Sequence, residues 1–164
     1  MSPDASTAAT TEARPFGDHE QHGYFLEDLT AGMTAVYGKT VTDADIVLFT
    51  GVSGDTNPLH LDHAFASRTM FGGPIVHGML TASLISTVVG TRLPGPGCIY
   101  LSQNLRFRAP VRVGDTVKTR ATIVEVIAEK RRIRLETVCK VGDTVVLDGE
   151  ALVMVPTRAA AAAE

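Results

Sequence analysis

Between Ile75 and Val89 the sequence reads IVHGMLTASLISTVV, and this stretch constrains the fold most. Val76, Leu80, Leu84 and Val88 recur at helical spacing as one stripe, and Met79, Ile85 and Val89 add apolar residues on other faces. The helix is expected to begin near Ile75 or Val76 and to stop at Gly90, with Pro94 just beyond. A helix that is apolar nearly all round has to be enclosed by something else. It cannot lie in a membrane instead, because a span needs about 18 unbroken apolar residues. Here His77, Gly78, Thr81, Ser83, Ser86 and Thr87 interrupt the run. The rest of the chain must therefore wrap it.

The wrapper is legible as strands. Ile99, Leu101, Leu105 and Phe107 alternate with Tyr100, Ser102, Asn104, Arg106 and Arg108, which predicts one buried and one wetter face. Val117 to Ile127 forms a second strand whose apolar phase slips near Ile123 and Val124, the mark of a bulge. A third runs from Ile133 to Val141, where Gly142-Asp143 signals a hairpin turn. The last spans about Thr144 to Val155. Short turns between consecutive strands predict an antiparallel meander. Upstream, Thr34 to Thr42 reads as a strand, and Thr42 then caps a short helix with Asp45 three residues on. Ile46, Val47 and Phe49 of that helix are expected to face inward. Gly51 to Asp62 reads as a loop, His63 to Arg68 as a short helix and Phe71 to Pro74 as another loop. One long helix against a curved antiparallel sheet is an α+β domain. It is expected over residues 24–156, between a disordered leader (1–23, rich in Ser, Thr and Ala) and an Ala-rich tail (157–164).

A chain of 164 residues fits a single domain that needs neither disulfide nor metal to fold. Aromatic residues make up 5% with no Trp, so the core must be aliphatic and a base-stacking platform is weakly supported. The net charge of −3 also speaks against a nucleic-acid partner. The charge is uneven: 4 Lys/Arg stand against 10 Asp/Glu up to Leu93, and 11 against 8 from Pro94 onward. A mildly basic back half suits either a solvated sheet face or a small anionic ligand. Cys98 and Cys139 make no disulfide framework, and the first residues carry no basic start or apolar core of a signal peptide. A cytoplasmic protein with no membrane contact is expected.

The chemistry concentrates before the long helix. His60, His63 and His77 cluster around two loops, with Asp55, Asn57 and Asp62 in the first, whereas His19 and His22 fall in the leader. Three readings stay open from the residues alone. Asp55 and Asn57 can be turn formers with His60 a structural histidine. His60, Asp62 and His63 offer metal ligands, but adjacent side chains seldom converge on one ion. Or Asp55 and His60, with Pro58 stiffening the segment between them, grip one water as a general acid/base pair. His77-Gly78 adds a second component, because the first amides of a helix have no intrahelical acceptor and sit at its positive end. With no side chain, Gly78 lets an acyl oxygen approach its N–H. The plainer alternative is close packing.

GDTNPLHLD, FGGPIVHGML and YLSQNLRFRAPVRVGD occur in that order, and together they resemble the R-specific enoyl-CoA hydratases. These belong to the MaoC-like dehydratase group of the hot-dog fold. The similarity runs from about Phe25 to Pro156. It implies a single hot-dog domain with a long helix in a curled sheet, dimers or dimers of dimers joined sheet to sheet, and an acyl tunnel near the interface. It implies an acyl-CoA thioester substrate, with coenzyme A as part of that substrate and no further cofactor or metal. By position it makes Asp55 and His60 the catalytic pair, Gly78 the N–H donor to the thioester oxygen, Asn57 a support of the loop and Ser86 a support near the pair. The implied reaction is reversible hydration of a short trans-2-enoyl-CoA to the (R)-3-hydroxyacyl-CoA. Arg106, Arg108, Arg112, Lys118 and Arg120 are candidates for the CoA phosphates. The rival expectations are a hot-dog acyl-CoA thioesterase, which attacks the carbonyl instead, and a non-catalytic acyl-CoA-binding partner subunit of a dehydratase.

Overall fold

A computed structural model describes residues 22–161. Most of the expected leader, His19 included, and the end of the tail lie outside the described residues. Five strands form one antiparallel sheet: β1 (Thr34–Thr40), β2 (Ile99–Phe107), β3 (Thr116–Ile127), β4 (Arg132–Val141) and β5 (Thr144–Met154). Their order is β1-β3-β4-β5-β2. The meander expectation holds for β3, β4 and β5, with β4 and β5 turning at Gly142 in the left-handed region (φ 55°). It does not extend to β2, which crosses over to pair with β5 at the far edge.

The central helix, α4, spans Gly78–Thr91, two or three residues later than the apolar pattern suggests. Ile75 and Val76 precede it in a segment tied to neighbours: Ile75 N–H donates to Leu59 O at 3.3 Å and Val76 N–H to Val111 O at 2.7 Å. Helix α4 lies on one sheet face against β1, β3 and β4. Leu84, Ile85, Val88 and Val89 pack there with Val117, Ala121, Ile123, Ile133, Leu135 and Leu147, all buried. Each such aliphatic side chain contributes about 1.5–3 kcal/mol when fully removed from water, so the helix is held by its packing rather than by its β-branched and Gly residues. Register shifts at Tyr100/Ser102, Ile123/Glu125 and Cys139/Lys140 bend the strands around it. The second of these is the bulge expected from the phase slip.

Several apolar residues do not face the core as expected. Ile99 is 52% and Phe107 56% exposed, and Leu101 is exposed as well. The physical reason is position: β2 is an edge strand paired on one side by β5, while α4 packs over β1, β3 and β4 toward the other end of the sheet, with Phe107 lying beside its first residue, Gly78. Met79 is 57% exposed because it shares the outer face of α4 with Ser83, Ser86 and Gly90. The first helix, α1, spans Asp43–Ser53; it buries Ile46 and half-buries Phe49 but leaves Val47 64% exposed. The predicted Gly51–Asp62 loop also holds more structure than expected, because α1 runs into it and a one-turn helix α2 (Pro58–Leu61) follows. Another single turn, α3, spans His63–Ala66, and the chain ends its described part in α5 (Arg158–Ala161).

Candidate active site

The site begins with the way α1 starts and stops. Thr42 Oγ1 accepts from Asp45 N–H at 3.3 Å while Asp45 Oδ2 accepts from Thr42 N–H at 2.9 Å, a reciprocal cap. The Thr42 N–H and then Lys39, at 3.0 Å, hold the Asp45 carboxyl below its ordinary value. At the other end Gly54 takes φ 75° and closes α1 in the left-handed conformation, which any side chain would strain. The chain then turns sharply. Asp55 Oδ1 accepts from Asn57 N–H at 3.2 Å, and Asn57 Oδ1 accepts from Leu59 N–H at 3.1 Å. These two consecutive side-chain caps launch α2 with Pro58 in its first turn. Asn57 is therefore occupied as a helix cap.

One turn later, His60 comes back under Asp55. His60 Nδ1 lies 2.7 Å from the carbonyl oxygen of Ile75. A carbonyl only accepts, so Nδ1 carries the hydrogen and Nε2 is left as the lone-pair nitrogen. Asp55, His60 and His77 each bring one ligand-type atom within 4.8 Å of the others. One water at about 2.8 Å from each of two such atoms bridges a gap of that size. Asp55 is exposed and His60 half-buried, so solvent and substrate reach both. The mean path from sequence to site is short: the caps at Gly54 and Asn57 bring residues five apart in the chain to the two sides of one water-sized gap.

The same trio is the kind of set that ligates a transition metal. Its geometry serves proton transfer better. The His60 and His77 rings lie face over face, with centroids 3.8 Å apart and planes 31° from parallel. Their in-plane lone pairs therefore run side by side rather than toward a common centre. His60 Nδ1 and His77 Nε2 donate to the Ile75 and Asp55 carbonyls, which leaves His60 Nε2 and His77 Nδ1 as the nitrogens with a lone pair. The other ligand set considered from the sequence does not form: Asp62 Oδ1 caps α3 through Phe65 N–H at 3.0 Å, and His63 is exposed.

Gly78 is the first residue of α4, and its N–H has no intrahelical acceptor. The residue before it, His77, does not cap the helix with its side chain. Gly78 also has a packing reason to be glycine, since a Cβ there would lie 2.7 Å from Cε1 of Phe107. The packing role named from the sequence is thus present at Gly78, beside an amide that opens α4. A cavity of about 290 Å³ opens beside it, walled by Phe71, Ile75, Gly78, Thr81, Phe107 and Val111 among others. Ser86 lies on the exposed outer face of α4 and makes no hydrogen bond among the described residues. It stands eight residues past Gly78, about 12 Å further along the helix axis.

The basic candidates divide. Arg108 forms a two-pronged pair with Asp148 at 2.7 and 3.2 Å, which holds the Asp148 carboxyl below its ordinary value. Arg112 donates to the carbonyls of Phe71 and Pro74 at 2.5 and 3.2 Å and so braces the loop before α4. Arg120 donates to Thr34 Oγ1 at 3.3 Å. Arg106 and Lys118 make no ion pair or hydrogen bond among the described residues. Among the described residues no helix is long and apolar enough to cross a membrane.

Sequence reasoning named His77 for its place in the chain and missed what its ring does. The signal was present, since an N-cap position favours Ser, Thr, Asp or Asn, and His is a poor substitute.

Comparison with known proteins shows the family of the chain. Residues 27–146 match the family of the MaoC like domain. The chain is 54% identical over 134 residues to a 3-hydroxybutyryl-CoA dehydratase of Methylorubrum extorquens, covering 82% of this chain and 85% of that one. It is 49% identical over 135 residues to an (R)-specific enoyl-CoA hydratase of Rhodospirillum rubrum, covering 82% and 94%. The solved (R)-hydratase from A. caviae involved in PHA biosynthesis superposes with a TM-score of 0.77 at 43% identity, covering 79% of this chain and 99% of that one.

Proposed function

We infer, from the premise that this chain belongs to the MaoC-like domain family, that it is a hydro-lyase acting on acyl-CoA thioesters. It hydrates a trans-2-enoyl-CoA to the (R)-3-hydroxyacyl-CoA and runs the reverse dehydration. The chain lengths are short, in keeping with the 3-hydroxybutyryl-CoA dehydratase it resembles at 54% identity.

One observation supports the mechanism: the Ile75 carbonyl sets the tautomer of His60 and leaves its Nε2 bare, and His60 and Asp55 bring ligand-type atoms within 4.8 Å of each other. The pair holds one water over the C2–C3 double bond. Nε2 takes a proton as the water oxygen bonds to C3, and the π electrons move toward the thioester oxygen. The proton held by the pair then goes to C2, so one water is added in full. The Gly78 N–H, at the positive end of α4, meets the developing negative charge on the thioester oxygen. The cavity beside Gly78 takes the apolar part of the substrate. Asn57 keeps the loop in register through its cap on α2. Coenzyme A enters only as part of the substrate, and the pair needs no further cofactor. Arg106 and Lys118, whose side chains donate no hydrogen bond among the described residues, are the better candidates for its phosphates, although Arg106 also attracts the nearby Asp148 carboxylate.

A homodimer completes the protein. The outer side of β2 is an open sheet edge carrying exposed Ile99, Leu101 and Phe107, the kind of edge that a second copy pairs with and covers.

The test is a hydratase assay over a ladder of enoyl-CoA lengths, with chiral analysis of the product and a parallel assay for released thiol. Loss of the enoyl absorbance with an (R) product and no thiol is expected. Thiol release as the main outcome would replace this reading with a thioesterase.

A further inference from the structure

His77 is the most buried polar group near the site, at 1% exposure, and the chemistry above does not use it. Its Nε2 lies 3.1 Å from the backbone carbonyl of Asp55, so Nε2 carries the hydrogen and donates it. Thr50 Oγ1 lies 3.4 Å from the same nitrogen. The other ring nitrogen, Nδ1, is buried without a partner among the described residues. One ring face stacks on His60 at 3.8 Å, and Phe49 leans on the ring from 5.1 Å. A buried ring with an orphaned nitrogen carries a desolvation cost that a plain space-filler avoids. His77 also gives up the helix cap that Ser or Asp would provide at its position. What the ring touches instead is the pair of Asp55 and His60.

We propose that His77 is a positioning residue for the hydration reaction. Its N–H fixes the Asp55 backbone and its ring face fixes the tilt of His60. One side chain thus sets the distance between base and carboxylate. The stacked ring comes from the start of α4, the Asp55 carbonyl from the end of α1, and His60 from α2. His77 is where these three elements meet, and a small shift of any of them reaches the reacting atoms through it.

This proposal rests on the hydratase reading, and its test keeps the two separable. The variants are H77F and H77Q in the full chain, assayed with crotonyl-CoA. H77F keeps a flat ring against His60 and removes both the Nε2–H donor and the orphaned nitrogen. H77Q returns an N–H near the Nε2 position without a ring. The kcat of H77F should fall about 30- to 100-fold, the scale of a misplacement near 1 Å. Its KM should stay within about threefold, because the loss lies in the chemical step. Its Tm should equal or exceed the parent's. H77Q should regain about fivefold or more in kcat over H77F. Independently of turnover, 15N-histidine spectra of the parent should show one solvent-shielded imidazole with its proton on Nε2, absent in H77F.

A kcat for H77F within about twofold of the parent overturns the proposal, as does a His77 protonated on Nδ1. So do kcat losses in both variants that merely track a lowered Tm. If H77F does not fold, H77Q decides: a folded H77Q within about fivefold of the parent supports the N–H role, and one as inactive as D55N overturns it. A parent chain that leaves crotonyl-CoA unchanged refutes the hydratase reading instead, and the tautomer spectrum then decides the placement of His77.

Discussion

His60 donates its Nδ1–H to the carbonyl oxygen of Ile75 at 2.7 Å, across 15 residues of chain. This bond joins the turn that carries Asp55 to the segment that launches α4. It also decides which nitrogen of His60 is the base. Leu59 and Ile75 are tied next to it by a backbone bond of 3.3 Å, so the ring is held by a short two-bond clamp rather than by its own loop.

The pair itself is the first thing to alter. D55N and H60Q should each lower kcat for crotonyl-CoA by about 100- to 10,000-fold, the range of a lost general acid or base. Asp55 and His60 are not core residues, so the thermal midpoint of either variant should stay near that of the parent. Near-parental turnover by either one removes that residue from the mechanism.

Gly78 separates packing from catalysis. In G78A the new Cβ meets the Phe107 ring at 2.7 Å, but that ring is more than half exposed and can swing outward. The stability cost should therefore be modest, about 1 kcal/mol, while the methyl blocks approach to the N–H and turnover falls by about 100-fold. Adding F107A should recover the stability and leave the activity low. Recovery of both would mean that Gly78 is glycine only for packing.

Gly149 faces the opposite situation. A Cβ there would lie 1.9 Å from the Asn104 carbonyl oxygen, a backbone atom of the paired strand. The β2–β5 ladder has no flexible group to move, so G149A should cost about 2–3 kcal/mol or more as measured by urea unfolding. A shift below about 0.5 kcal/mol would contradict this strand register.

The cap on α1 gives a pH-dependent prediction. Thr42 and Lys39 hold the Asp45 carboxyl below its ordinary value. A depressed value in the folded state means that its contribution is complete above the unfolded value and fades as pH falls through the folded one. D45A should therefore cost about 1 kcal/mol near neutral pH. That deficit should shrink as the pH drops below about 4. A deficit that stays constant down to acid unfolding would show that the carboxylate charge does not matter there.

Burial pushes the Cys139 thiol up, with Thr119 Oγ1 at 3.3 Å opposing the shift. Cys98 is raised in the same way by its partial burial. Both thiols should stay protonated at pH 8 and react slowly with a disulfide reagent in the native chain. Cys139 should become reactive only on unfolding. Fast labelling of Cys139 in the folded protein would contradict its place on the inner sheet face.

Much of the fold is legible because local physics writes it into neighbouring residues. The bulge near Ile123, the turn at Gly142 and the Thr42/Asp45 cap each depend on a few residues in a row. The errors share one cause. Ile99, Leu101, Phe107, Val47 and Met79 are apolar in the pattern of a buried face, yet burial depends on what lies opposite. Alternation along a strand shows that it has two faces and does not show that β2 would be carried to the edge.

The site divides the same way. Asp55, Asn57, Pro58 and His60 announce a capped turn that can pair a carboxylate with an imidazole, because each cap acts over two or three residues. The sequence by itself determined the candidate pair of Asp55 and His60 and an aliphatic core for one long helix, and it set the start of that helix two or three residues too early. Only the tertiary structure decided that the Ile75 carbonyl selects the His60 tautomer, that Ser86 lies on the exposed face of α4, and that the His77 ring closes the site from behind. Those outcomes rest on hydrogen bonds and stacking between α1, α2 and the start of α4, and contacts between separate elements leave no periodic trace in any one of them.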